Sequence, residues 1–182
     1  MRKNSFTILI ILLLLSCSTQ NNNKARSENL LRKEAVNLAI NYAREKFKEA
    51  NETREKNGII TITDNQADYV TTGNNRIKYV IDPAVVAVGL IDDDAIEDAI
   101  VTISPSKGQY LEPPENLILI NTDGKLMLSR VIESDMKILG IKNRVITAEI
   151  LTKSRNSPLR DCDACKEVVK FQFRMGDLIR ME

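Results

Sequence analysis

The hydrophobic rhythm of the chain changes three times, and each change marks a boundary. Apolar residues run almost unbroken from Phe6 to Leu15 behind the basic pair Arg2 and Lys3, and residues 18–26 are then polar, with Asn21, Asn22 and Asn23 in succession. From Ser27 onward Leu31, Ala35, Leu38, Ala39, Tyr42, Ala43, Phe47 and Ala50 recur at steps of three and four, with no Gly or Pro before Asn57-Gly58. That spacing predicts an amphipathic helix over about residues 27–57, with Ser27 as N-cap and Asn57-Gly58 as a left-handed stop. Its apolar stripe could cover a partner or lie on a membrane, but the chain's own sheet is the simpler cover.

After Gly58 the helical period does not return. Apolar, mostly β-branched runs separated by turn residues occupy 59–63, 76–81, 85–90, 99–103, 117–121, 127–132, 138–141, 145–151, 168–174 and 178–180. Their even spacing predicts an antiparallel meander. Asp123-Gly124 is the strongest hairpin signal between two such runs, and Lys142-Asn143 and Gly176-Asp177 predict two more. The expected fold is α+β: an N-terminal amphipathic helix packed on a twisted antiparallel β-meander, in a single domain spanning residues 27–182.

The first apolar run is about ten residues, half of what a helix needs to cross a hydrocarbon core, so residues 1–16 read as a cleaved signal peptide. Leu14-Leu15-Ser16-Cys17 resembles the lipobox of bacterial lipoproteins. The resemblance implies cleavage before Cys17 and its lipidation on sulfur and amine. Several buried acyl chains, at about 0.8 kcal/mol per CH2, make such attachment effectively permanent. The expected partner is then the lipid bilayer, with residues 17–26 as tether. The expected address is the cell envelope. Ser18 in place of an aspartate points to the outer membrane, facing periplasm or cell surface, over the inner membrane.

Composition narrows the chemistry. Of 26 basic residues Arg2 and Lys3 fall in the leader, leaving 24 against 25 acidic ones, interspersed, with seven aromatic residues. No nucleic-acid partner is expected from such a surface. The chain contains no histidine, which excludes His-based triads, HExxH metal sites and His pH switches. Catalysis by carboxylates, Ser-Lys or Thr would survive that exclusion, but no such spacing stands out. The roughly 165 residues from Cys17 onward suit one modest core.

The segment from Val88 to Val101 carries Asp92, Asp94 and Asp98 between two strand patterns. It resembles the acidic loop of FG-GAP and VCBS-like β-hairpin repeats, and the resemblance implies calcium ligands at Asp92, Asp94 and Asp98. Leu90 and Ala95 stand where that pattern has an aspartate and a glycine. Calcium takes six to eight hard oxygens, and the other reading is an acidic tip satisfied by its own backbone and nearby lysines. More loosely, the order of features over residues 76–180 resembles a group of uncharacterised secreted and lipid-anchored bacterial β-domains, which implies no activity.

Cys162 and Cys165 remain as a CxxC pair once Cys17 is acylated. In an oxidising compartment they read as a disulfide that pins the connection around them, worth roughly 2 kcal/mol. A thioredoxin-like redox site would want a βαβ pattern, and zinc would want two more ligands. The leading functional expectation is a membrane-anchored envelope lipoprotein with a non-catalytic binding or structural role, possible partners including an envelope protein. The alternatives are a degenerate calcium-supported adhesion or interaction module and a His-independent carboxylate hydrolase.

Overall fold

A computed structural model describes residues 27–49, 58–64, 66–70, 76–82, 85–107, 110–111, 113–152 and 165–182. The leader, Cys17, the tether, the last turns expected of the helix at 50–57, and Cys162 lie outside the described residues. Residues 27–49 form the helix α1. The rest is strand and turn: β1 Ile59–Thr63, β2 Gln66–Val70, β3 Arg76–Ile81, β4 Ala87–Gly89, β5 Asp98–Lys107, β6 Tyr110–Leu111, β7 Glu115–Thr122, β8 Lys125–Glu133, β9 Met136–Lys142, β10 Val145–Leu151, β11 Lys166–Arg174 and β12 Asp177–Arg180. This is an α+β arrangement, mostly β and antiparallel throughout.

The strands divide into two sheets, where a single sheet was expected. The larger runs β1-β2-β3-β5-β7-β8, with β4 and β6 paired to β5, and the smaller runs β12-β11-β10-β9. The cause is visible in β5 and β7. Ala99, Val101 and Ile103 of β5, with Leu117 and Leu119 of β7, join the helix in one core. The alternate residues Ile100 and Ile118 join Met136, Ile138, Ile146 and Ala148 of the smaller sheet in a second core. Side chains along a strand point alternately to its two faces, so a strand apolar at every position needs a cover on each side.

The helix supplies one cover. Ala35, Ala39 and Ala43, four apart, are fully buried along its inner line, and Phe47 continues them. Small residues there let the helix sit close to the sheet. Phe47 stacks on Tyr69 at 5.4 Å between ring centroids and tilts against Tyr79 at 5.3 Å. At its other end Arg32 bonds the Val86 carbonyl, and Glu34 Oε1 accepts the Leu126 N–H at 3.0 Å.

The smaller sheet supplies the other cover. Its β9 lies on β4, and a Cβ on Gly89 would meet Ile141 Cβ at 2.9 Å and its carbonyl oxygen at 3.0 Å. Asn116, wholly buried, ties the sheets together by accepting from Thr102 Oγ1 at 2.7 Å and donating to the Met136 carbonyl at 3.5 Å.

Among the described residues three two-residue hairpins have both central residues at positive φ: Asp123-Gly124, Asn143-Arg144 and Met175-Gly176. The first sits as read. The other two lie one residue away from Lys142-Asn143 and Gly176-Asp177, because the pairs Lys142↔Val145 and Arg174↔Asp177 close the ladders, and in the second the glycine takes the second central position. Gly58 is not left-handed either. It leads into β1, and a Cβ there would fall 2.0 Å from the Tyr69 ring, so its role is close approach and not a helix stop.

The hairpin tips, the 90–97 loop and the start of α1 share one pole of the molecule. Ser27 and Glu28 line a hollow with Leu90, Ala95, Lys142 and Asn143, while Asp92 and Asp93 line another with Arg144, Arg174 and Met175. Pro114, Asp135, Glu149 and Leu151 lie at the opposite pole.

Gly89→Ala should force β4 and β9 apart and lower stability by about 1–3 kcal/mol, the usual cost of overpacking. Gly140→Ala, whose Cβ would meet nothing within 4 Å, should stay within about 0.5 kcal/mol of the parent. Chemical denaturation of the pair checks the close approach.

Candidate functional site

The acidic loop runs from Leu90 to Glu97, between β4 and β5. Asp98 is fully buried at its base. Its Oδ2 accepts the backbone N–H of Ile91 at 2.7 Å and of Asp92 at 3.4 Å, and its Oδ1 accepts the N–H of Asn121 on β7 at 2.9 Å. The Asn121 amide donates back to the Glu97 carbonyl at 3.1 Å. The carboxylate thereby closes both ends of the loop onto the larger sheet. Burial pushes its pKa up and Asp92 acts in the same sense, while the three backbone donors pull it back in part.

Asp92 and Asp94 turn to their own backbone. Asp92 Oδ1 accepts the Asp94 N–H at 3.0 Å and Asp94 Oδ1 accepts the Ile96 N–H at 2.7 Å, two successive Asx turns. The cation beside the loop is Arg144, from the Asn143-Arg144 turn of the smaller sheet. Its Nε donates to the Asp92 carbonyl at 2.6 Å, and its Nη2 donates to the carbonyls of Asp93 at 2.8 Å and Asp94 at 3.0 Å. A guanidinium thus gathers three carbonyls of the calcium candidate loop. Among the described residues no group of three or more acidic, cysteine or histidine side chains is placed to hold a metal ion. The sequence had pointed to lysines as neighbours; the partner is an arginine whose planar fork suits several acceptors at once.

Cys165 is buried and disulfide-bonded, one residue before β11. Its expected partner Cys162 lies outside the described residues. No helix among the described residues is long and apolar enough to cross a membrane.

The feature that sequence reading missed is a cleft of about 290 Å³ at the opposite pole, where the two sheets part. Its apolar lining comes from Val85, Pro114, Met136, Ile138, Ile150 and Leu151; Thr102 and Ser104 of β5 add hydroxyls, and Asp135, Lys137 and Glu149 add charge. Glu149 is ion-paired with Lys166 at 3.7 Å, and the Asp135 carbonyl accepts from Leu151 N–H at 3.4 Å. Nothing in the local spacing of these residues announces a cleft, since it forms where β8 hands over to β9 and the chain changes sheet. Another buried acid is Glu115, which accepts from Tyr79 at 3.4 Å. Burial, first, and then Glu115 push the Tyr42 hydroxyl well above the ordinary phenol range.

No protein-family model matches the chain, and no curated protein or solved structure matches it significantly.

Arg144→Ala should cost about 1.5–3 kcal/mol, the range for hydrogen bonds to a charged group, and Arg144→Lys should recover little of it; urea unfolding of the three proteins measures both. The pH dependence of Asp98 has a definite sign. With the folded pKa raised above the unfolded one, its contribution to stability is full below the ordinary aspartate range and falls as pH rises toward the folded value. Asp68 runs the other way: burial works to raise its pKa, but the hydrogen bonds from Arg76 and Gln66 outweigh it and the net shift is downward. Its stabilisation is present above the ordinary range and fades as pH falls. Asp98→Asn should remove the descending component while lowering stability throughout, since an amide accepts at one oxygen where two accept now. Melting temperatures from about pH 4 to about pH 7, spanning the carboxylate range and above, would expose the changed slope.

Proposed function

We propose that the chain is a lipid-anchored protein of the bacterial cell envelope with a non-catalytic, binding or structural task. The observation that carries this reading is Leu14-Leu15-Ser16-Cys17, set after a short apolar run and before a polar stretch. Cys17 bears the acyl chains, residues 17–26 form the tether, and Ser18 favours the outer membrane, facing periplasm or cell surface. Cys162 and Cys165 pair with each other, which leaves Cys17 for lipid. The domain is a helix packed on the larger of two antiparallel sheets, a rigid carrier for its binding surface. That surface is the cleft between the sheets, whose apolar floor under a rim of hydroxyls and charges suits a small, largely apolar ligand or side chain.

A second reading has one observation in its favour. Asp135 and Glu149 line the same cleft, so a hydrolase working through carboxylates alone would use this pair. It differs from the first in requiring turnover.

Two measurements test the proposal. Cys17→Ala in the full precursor should abolish incorporation of labelled fatty acid and shift the protein out of the membrane fraction or stall it uncleaved; unchanged labelling would sink the anchor. For the cleft, the apolar dye 1-anilinonaphthalene-8-sulfonate should bind the parent, and Ser104→Trp, which fills the wall, should abolish binding without changing the melting temperature. Hydrolysis of ester or glycoside substrates, lost in both Asp135→Asn and Glu149→Gln, would promote the second reading over the first.

A further inference from the structure

The hairpin between β11 and β12 carries an unusual residue at its tip. Met175 takes φ of 53° and is fully exposed, its side chain standing clear of the domain. In an L-residue this backbone region costs roughly 1–2 kcal/mol, and Asn, Asp and Gly are the types that visit it readily. The other two hairpins obey this at their first positions, with Asp123 and Asn143. Water does not favour a bare thioether chain either. Neither the turn nor the solvent accounts for Met175, and a surface that receives it would.

The chain itself identifies that surface. Met175 lies at the pole where α1 begins, and Ser27 is only ten residues on from Cys17. Ten residues span at most about 35 Å, less than the roughly 40 Å width expected of a domain of this length. A lipid attached at Cys17 therefore cannot leave this pole turned fully away from the bilayer. Three more large apolar side chains stand exposed around the same pole: Leu30 at the start of α1, Ile96 in the acidic loop and Met127 just after the Asp123-Gly124 turn.

We propose that this pole is the membrane-facing surface of the protein, with Met175 seated at the boundary of headgroups and acyl chains, and that the intersheet cleft at the other pole opens toward the aqueous space. The proposal rests on acylation of Cys17. Contact is apolar and not ionic. The pole carries both signs with acids in excess, Glu28, Asp92, Asp93, Asp94, Glu97, Asp123 and Asp177 beside Lys125, Lys142, Arg144 and Arg174, so anionic lipid adds no attraction and raised salt removes none. One hairpin tip is too small to hold a protein on a bilayer alone; its effect is to orient a domain that the lipid already retains.

The chain has no tryptophan, so one introduced at either pole reports alone. Acylated mature protein made from the full precursor, carrying Met175→Trp or Val168→Trp, is reconstituted into phosphatidylcholine vesicles with and without brominated acyl chains. Val168 is exposed near the far end of β11, about 20 Å along the strand from the tip at 3.4 Å per residue. Expected is a blue-shifted emission at position 175 that brominated lipid quenches almost completely, little quenching at 168, and the same result when anionic lipid or high salt is added. Equal quenching at both positions, stronger quenching at 168, or none at 175 in protein that floats with the vesicles and carries acyl label would overturn the orientation. Protein that neither floats nor carries label would defeat the anchor reading, and the orientation with it.

Hydrogen exchange on the unsubstituted acylated protein guards against a tryptophan that disturbs the turn. Slowed exchange on vesicles at residues 174–177 and 92–96 supports the orientation. Slowing confined to residues 135–138, or protection of the tip that requires an added envelope protein, contradicts it.

Discussion

Double-sided burial of β5 and β7 is the constraint from which the rest of the structure follows. Ile100 and Ile118 point one way and Ala99, Val101, Leu117 and Leu119 the other, all at negligible exposure. Two faces of dense hydrocarbon must each leave water, and at roughly 25 cal/mol per Å² either face left bare would outweigh most single polar interactions in the molecule. The helix and the smaller sheet are the two covers. Their details answer to that demand: alanines along the inner line of α1, Gly89 where β9 crosses, and Asn116 bridging the seam.

Against that apolar background, the polar lock around Asp98 is costly to build and specific once built. A carboxylate at zero exposure is disfavoured by burial, and the three backbone donors offset this in part. In return one side chain joins the loop at Ile91 to β7 at Asn121, and Arg144 adds the smaller sheet from outside. Three segments far apart in sequence meet through two charged groups of opposite sign that never touch each other. The acidic loop is thus a junction held by its backbone carbonyls, with Asp92 and Asp94 turned to the loop's own amides.

Some of this was legible in the sequence and some was not, for reasons particular residues make plain. Strands β1, β3 and β10 could be read to the residue, since β-branched runs between turn residues define them. The strand β2 was missed because Gln66-Ala67-Asp68-Tyr69-Val70 has almost no β-branched signal; it is a strand because Tyr69 is needed under Phe47. The division into two sheets was written in Leu117-Ile118-Leu119-Ile120, which is apolar without alternation, but even spacing of the runs masked it. Arg144 carried no local signal at all. Its partners lie some fifty residues earlier, and only the fold makes them neighbours. The same holds for Asp135 and Glu149, brought to one cleft by the change of sheet at Ser134.

The bond between Glu34 and Leu126 spans 92 residues. Most strands find their partners among near neighbours, and three tight turns with positive φ are poised to close hairpins early. The helix has no such neighbour. The face formed by Ala35, Ala39, Ala43 and Phe47 can be covered only after β5 and β7 exist, so a helix that precedes every described strand is among the last elements to be buried. Until then an apolar stripe waits in the open, and a chain built this way depends on folding quickly once complete, or on being shielded while it is made.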